Sequence, residues 1–262
     1  MKIGGFVTEG DGMRMVWLTA LGVGGATVFG AVVGFLFKGF SARFSDLILS
    51  FAAGVMLSSS MSGLILPSLT YGGEFAFLWS MAGILCGALI LRLLNGSLPK
   101  VYRLMGVSAE RGGSQRVGRV LLFVMAIAIH NFPEGIAAGV GFGTGDTSRA
   151  LVIAAGIALQ NVPEGMVMIA PMLSVGISPV RTFICAALTG VIEVLGTLLG
   201  YIAVQGVSAI LPFALSFAGG SMLYVISDEM IPATHEGGKG VGATYALLLG
   251  VCLVVAMEAL LG

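Results

Sequence analysis

The sequence predicts an all-α, polytopic membrane protein that crosses the bilayer eight times. Composition is the first observation: 57% of the 262 residues are hydrophobic, only 10% are charged, and the mean hydropathy is +1.02. A soluble domain carries about 25% charge, so this chain has too few charges to cover a wet surface. The second observation is that apolar stretches of about 20 residues, the length a helix needs to span lipid, recur eight times. The third is that basic residues gather in alternate connections between those stretches. Together they exclude an ordinary cytosolic enzyme and a disordered chain. Thirteen basic and thirteen acidic residues cancel, so no global field points to nucleic acid.

Taken in order, span one covers about 15–37, behind a polar tail that holds Lys2, Glu9, Asp11 and Arg14. It is too long for the core of a signal peptide, and no clean cleavage site follows it. Span two (47–69) contains Met56 and the serines Ser58, Ser59 and Ser60, which are expected to bond back to helix carbonyls. Span three (75–94) leads into the one long connection, 95–119, which is polar, basic and free of histidine. Spans four (120–142), five (150–173) and six (182–204) carry acids within their apolar runs. Spans seven (208–230) and eight (243–261) complete a single transmembrane domain. Forty-one glycines suit close helix contacts in lipid. Cys86, Cys185 and Cys252 are scattered in apolar runs and read as small packing residues, with no CxxC pair among them.

Orientation follows from the basic residues, which favour cytoplasmic loops. The odd-numbered connections and their flanks hold ten of the thirteen: Lys38, Arg43, Arg92, Lys100, Arg103, Arg111, Arg116, Arg119, Arg181 and Lys239. Those connections are therefore expected inside, which puts both termini outside.

Two internal echoes are present. Ser50-Phe51-Ala52-Ala53-Gly54-Val55-Met56-Leu57 of span two matches Ser216-Phe217-Ala218-Gly219-Gly220-Ser221-Met222-Leu223 of span seven at six of eight positions. Leu66-Pro67 is likewise echoed by Ile231-Pro232. Spans five apart cross in opposite directions, as expected of an inverted repeat. The second echo is sharper. His130-Asn131-Phe132-Pro133-Glu134-Gly135 of span four and Gln160-Asn161-Val162-Pro163-Glu164-Gly165 of span five share Asn, Pro, Glu and Gly at one spacing, thirty residues apart.

A charge at mid-bilayer costs at least about 2.5 kcal/mol. Glu134, Glu164 and Glu193 all fall at such depths, and spans four, five and six contain no Lys or Arg to neutralise them. Protons, water or metal ions must do so. Glu134 lies four residues after His130 and three after Asn131, and Glu164 stands in the same relation to Gln160 and Asn161. Each glutamate thus shares a helix face with two further donors. A carboxylate can bridge two cations. The pattern permits one site flanked by His130 and Gln160 and another flanked by Asn131 and Asn161, sharing Glu134 and Glu164, with Glu193 at the right depth to complete the second. Pro133 and Pro163 deprive the carbonyls of Ile129 and Leu159 of their helix partners. Backbone freed in this way is tolerated where it lines a polar cavity; a single such proline is equally compatible with a plain kink. Imidazole, carboxylate and amide donors, with Met56 as a thioether, suit Zn²⁺, Fe²⁺, Mn²⁺ and Co²⁺ better than copper.

Both motifs, the eight spans and the outward termini resemble the ZIP (Zrt-/Irt-like) family of divalent-metal transporters over essentially the whole chain, with bacterial members nearest. The resemblance implies spans one to three and six to eight as inverted repeats around spans four and five. It implies uptake of Zn²⁺, and of Cd²⁺, Fe²⁺, Mn²⁺ or Co²⁺, across a bacterial inner membrane into the cytoplasm, by alternating access in a homodimer surrounded by lipid and with no prosthetic group. It assigns His130, Glu134, Gln160 and Glu164, with Met56 near by, to one metal position, and Asn131, Glu134, Asn161, Glu164 and Glu193 to a second. Gln160 stands where many members have His, and Asn161 where many have an acid. Asp228, Glu229, His235 and Glu236 form either a relay on the exit side or a solvated helix-ending cluster, and Glu258 reads as an acid snorkelling to the outer surface.

Two other classes compete with a carrier. An intramembrane zinc protease would need HExxH, which is absent, and a di-iron hydroxylase would need several intramembrane histidines where only His130 is present. A non-selective cation channel would need the same mid-depth polar residues, and only saturation of the flux separates it from a carrier.

Overall fold

The computed structural model describes residues 9–36, 41–71, 73–104, 112–142, 146–206, 210–235 and 240–261, and within them it contains helices and no strand. Span one is α1 (Glu9–Leu36). Span two runs through α2 (Ala42–Ser58), a π-helical turn Ser59–Ile65 and α3 (Leu66–Tyr71). The Ser41 side chain caps α2 by accepting from the Phe44 N–H at 3.3 Å. A short 3₁₀ turn, Gly73–Phe75, leads into α4 (Ala76–Leu104). Spans four, five and six are α5 (Gly112–Gly141), α6 (Thr147–Ser174) and α7 (Pro179–Gly206). Span seven is α8 (Leu211–Val225), a second π turn Ile226–Met230 and α9 (Ile231–His235), and span eight is α10 (Gly240–Leu261). Seven helical segments among the described residues are long and apolar enough to cross a membrane, and α5 adds a further helix of 30 residues. The chain is a multi-pass membrane protein.

Helix ends depart from the expected spans in one direction. α4 and α5 run to Leu104 and from Gly112, well into the expected connection 95–119, and span seven continues past residue 230 to His235. Hydropathy marks only the part of a helix that lipid must cover, whereas backbone pairing carries on into polar sequence.

The two π turns occupy matching places. The N–H of Leu66, just before Pro67, bonds to the Met61 carbonyl, and the N–H of Ile231, just before Pro232, bonds to the Ile226 carbonyl. In each span the five-residue bond directly precedes the proline, whose ring disrupts an ordinary four-residue ladder. The leading helix contacts are matched as well: α1 packs on α6 as α5 packs on α7, α4 on α8 as α2 on α10, and α2 on α6 as α5 on α8. Glycines make these contacts close. A Cβ on Gly24 would meet the Gly190 carbonyl, and one on Gly190 would meet the Gly24 carbonyl. These two residues are 166 positions apart, the same offset as the echo of Ser50 in Ser216.

The interior of the bundle is an apolar cluster that includes Met56, Leu64, Ile157, Leu215, Met222 and Val225. Leu18, Leu85, Leu188, Val241 and similar side chains face outward, the arrangement lipid favours. Cys86 and Cys185 are half-buried and Cys252 is exposed on the apolar surface of α10.

Candidate metal site between the fourth and fifth spans

The paired motifs sit inside continuous helices, with Pro133 within α5 and Pro163 within α6. His130, Asn131, Glu134, Gln160, Asn161, Glu164 and Glu193 are all buried, four of the seven at 0% exposure besides Glu193 itself. Glycine beside each glutamate lets neighbouring backbone close in: a Cβ on Gly135 would collide with the Glu193 carbonyl of α7, and one on Gly165 with the Thr27 carbonyl of α1. These contacts bring α1, α5, α6 and α7 together around the glutamates.

Half of the side-chain polar atoms gathered there are buried without a hydrogen-bond partner. They are both oxygens of Glu134, Oε1 of Glu164, both terminal atoms of Gln160, and the Oδ1 atoms of Asn131 and Asn161. An unpaired buried polar atom costs about 1–3 kcal/mol, and more when charged. So many in one place is the signature of a site built for something else to complete. Glu134, Glu164 and Glu193 come from spans that contain no Lys or Arg, and like charges brought together in this way would be relieved by a cation. Among the described residues no three His, Cys, Asp or Glu side chains form a ready metal cluster. The convergent set here depends on amide oxygens as well as carboxylates.

Glu193 differs from its neighbours. Its Oε1 accepts from the Thr27 hydroxyl at 2.8 Å and from Asn131 Nδ2, and its Oε2 accepts from Asn161 Nδ2 at 2.7 Å. His130 is occupied too, with Nε2 lying 3.0 Å from Glu229 Oε1, which also accepts from Asn95 Nδ2 at 2.6 Å. A cavity of about 260 Å³ runs from His130 and Glu164 past Leu49 and Val167 to Glu229 and Ala233.

The other expected residues have contacts of their own. Met56 belongs to an apolar cluster with Ala137, Ala138 and Ile157, which lie about one helical turn from Glu134 and Gln160. Asp228 is exposed and accepts from the Tyr224 hydroxyl, and His235 bonds within its own helix end, to the Ile231 carbonyl, and to Thr244. Of the three described residues at that end, Glu229 is the one joined to the motif histidine; Glu236 lies outside the described residues. Glu258 is not free at the surface: it accepts from Ser62 in the π turn, and both line a second cavity, of about 400 Å³, with Thr70 and Ile153. Ser60 bonds back to Leu57 as expected, whereas Ser59 Oγ has no partner.

Thr27, Asn95 and the nearness of Glu229 to His130 emerge only in the fold. For Thr27 a signal existed: the 166-residue offset between spans two and seven, carried to spans one and six, maps Thr27 onto Glu193 and Gly24, Gly30 and Gly34 onto Gly190, Gly196 and Gly200.

Comparison with known proteins bears on this arrangement. The ZIP zinc transporter family model matches residues 107–258. Zinc transporter GufA of Myxococcus xanthus is 40% identical over 192 residues, covering 73% of this chain and 75% of that protein. Zinc transporter ZIPB of Bordetella bronchiseptica is 34% identical over 243 residues, 90% of this chain and 78% of that protein. Zinc transporter ZupT of Chlorobaculum parvum is 30% identical over 266 residues, 96% of this chain and 98% of that protein.

Proposed function

This chain belongs to the ZIP family of metal transporters, and from that premise we propose that it carries Zn²⁺ into the cytoplasm through the site between α5 and α6. It is a transporter of divalent metal and not an enzyme. The observation that carries the finer reading is the group of unpartnered, buried oxygens on Glu134, Glu164, Gln160, Asn131 and Asn161. They are hard and borderline donors at the level where the sequence offers no Lys or Arg. Such donors suit Zn²⁺ and its neighbours Cd²⁺, Fe²⁺, Mn²⁺ and Co²⁺. Gln160 supplies a neutral ligand, which favours a site weak enough to release its ion. One position is bounded by His130 and Gln160, the other by Asn131 and Asn161 with Glu193 behind them.

Direction and mechanism rest on the same geometry. With the odd connections in the cytoplasm, the cavity lined by His130, Glu164 and Glu229 lies on the cytoplasmic side of the site, and the cavity of Glu258 and Ser62 lies on the outer side. Ala137 and Ala138 of α5 and Ile157 of α6, which share an apolar cluster with Met56, follow the motif residues toward the outer side in this orientation. That is an inward-open state of an alternating-access carrier. The matched π turns and the reciprocal Gly24–Gly190 contact support inverted repeats of spans one to three and six to eight, the architecture on which such rocking depends. The family resemblance supports an inner-membrane homodimer with both termini outside.

Uptake of tracer Zn²⁺ into proteoliposomes, with a panel of competing metals, tests the proposal. Uptake should saturate and be inhibited by Cd²⁺ more than by Ca²⁺ or Mg²⁺. Flux that rises without limit would make the chain a channel, and inhibition by Ca²⁺ equal to that by Cd²⁺ would remove the assigned ligands. Gln160→His adds an imidazole and should move preference toward Zn²⁺ over Mn²⁺. Identical Zn²⁺ and Mn²⁺ competition curves for Gln160→His and the parent chain would take Gln160 out of the site.

A further inference from the structure

Taking the metal-transport reading of this site as given, we propose that Glu193 is held in this chain by hydrogen bonds in place of a metal ion, and that Thr27 of α1 is the residue that positions it. Glu193 would then anchor the two asparagines, and their free oxygens, not the Glu193 carboxylate, would face the transported ion.

The donors around Glu193 make the case. Its carboxylate accepts from three side chains on three helices: Thr27 of α1, Asn131 of α5 and Asn161 of α6. A carboxylate has about four acceptor positions, so little capacity is left for a cation. Glu134 has both oxygens without a partner, and Glu164 has one. An ion entering the site meets those oxygens ready to bind, whereas binding Glu193 would require it to displace donors from three helices.

The orientation of Asn161 is fixed by the same bonds. Its Nδ2 donates to Glu193 Oε2 at 2.7 Å and also to the Val23 carbonyl at 3.2 Å. Turning the amide over would set its oxygen against two acceptors. Both N–H groups are thus used, and Oδ1, on the other arm, is buried without a partner. Asn131 follows the same pattern, with Nδ2 on Glu193 and Oδ1 unpartnered. An acid at position 161 would confront Glu193 with like charge and call for a cation between them. The amide supplies an N–H there instead.

Thr27 completes the knot. It is buried at 0% exposure, and its carbonyl is held against Gly165 on one side while Glu193 is held against Gly135 on the other. No other side chain of α1 donates to a motif residue among the bonds described. Outer partners of this kind alter metal affinity by about 10–100-fold when removed.

The test combines Cd²⁺ equilibrium dialysis on the purified full-length chain in detergent with Cd²⁺ uptake by proteoliposomes. Glu193→Gln should bind the same number of Cd²⁺ ions per chain as the parent, about tenfold more weakly. Thr27→Val should raise the KM for uptake by about tenfold with the maximal rate unchanged, the low end of that range, and Thr27→Ser, which keeps the hydroxyl, should restore it. Loss of one ion per chain in Glu193→Gln would make Glu193 a ligand and overturn the proposal. A Thr27→Val variant with the parent KM, or a Thr27→Ser variant as impaired as Thr27→Val, would overturn the role of the hydroxyl. Glu134→Ala separates the two levels: if it leaves binding and uptake intact, the metal-site reading itself fails, and if it abolishes them while Glu193→Gln loses an ion, only the present proposal does.

Discussion

Uptake of Zn²⁺ or Cd²⁺ into proteoliposomes falls by at least about 100-fold when Glu134 or Glu164 is replaced by alanine, beyond the range typical of an outer-shell partner. The reason is local. Glu134 contributes two buried oxygens with no other partner and Glu164 contributes one, and no other carboxylate at this level is unoccupied, since Glu193 already accepts three bonds. Neither substitution removes a hydrogen bond that holds the helices together. Both proteins should therefore stay folded, and each should melt at or above the parent temperature, because an uncompensated buried acid is removed. Intact flux in both variants would show that the ion takes another path. Lost flux together with lost folding would make the glutamates structural.

The second large effect is on stability. Gly135→Val and Gly165→Val each place side-chain carbon against backbone, at separations under 3.0 Å from the Glu193 and Thr27 carbonyls. Backbone cannot step aside as a flexible side chain does, so each substitution should cost at least about 1–3 kcal/mol of overpacking strain. It should also pry α7 from α5, or α1 from α6. Gly25→Val is the control, because a Cβ there meets nothing within 4 Å. Thermal unfolding followed by size-exclusion chromatography should show both motif variants melting well below the parent, with Gly25→Val unchanged. Equal melting of all three would mean that these helices do not approach as described.

What the sequence made legible, and what it did not, divides on physical lines. The spans could be read because lipid demands unbroken apolar length, and the paired motifs because acids, prolines and glycines inside such runs are too costly to be incidental. The partner of Glu193 was hidden: Thr27 is a modest polar residue in an apolar helix, 166 residues away, and nothing local marks it. Glu229 sits near a helix end, where the sequence is compatible with both an exit-side relay and a solvated cluster, and only the fold shows that it lies 3.0 Å from His130. Met56 could be read as a thioether near the motifs, but its membership of an apolar cluster with Ile157 could not be read from the sequence. The π turns could not be read directly, although their place was signposted by the repeated Leu66-Pro67 and Ile231-Pro232 pairs.

The central claim is that the transported ion rests on the oxygens of Glu134 and Glu164. X-ray absorption at the zinc edge, on the Zn²⁺-loaded protein, addresses this without reference to transport. The expected shell consists of oxygen and nitrogen donors at about 2.0–2.2 Å, with an imidazole contribution from His130 and no sulfur at about 2.3 Å, and it should be lost in Glu134→Ala. A shell containing sulfur, or one unchanged in both Glu134→Ala and Glu164→Ala, would contradict the assignment.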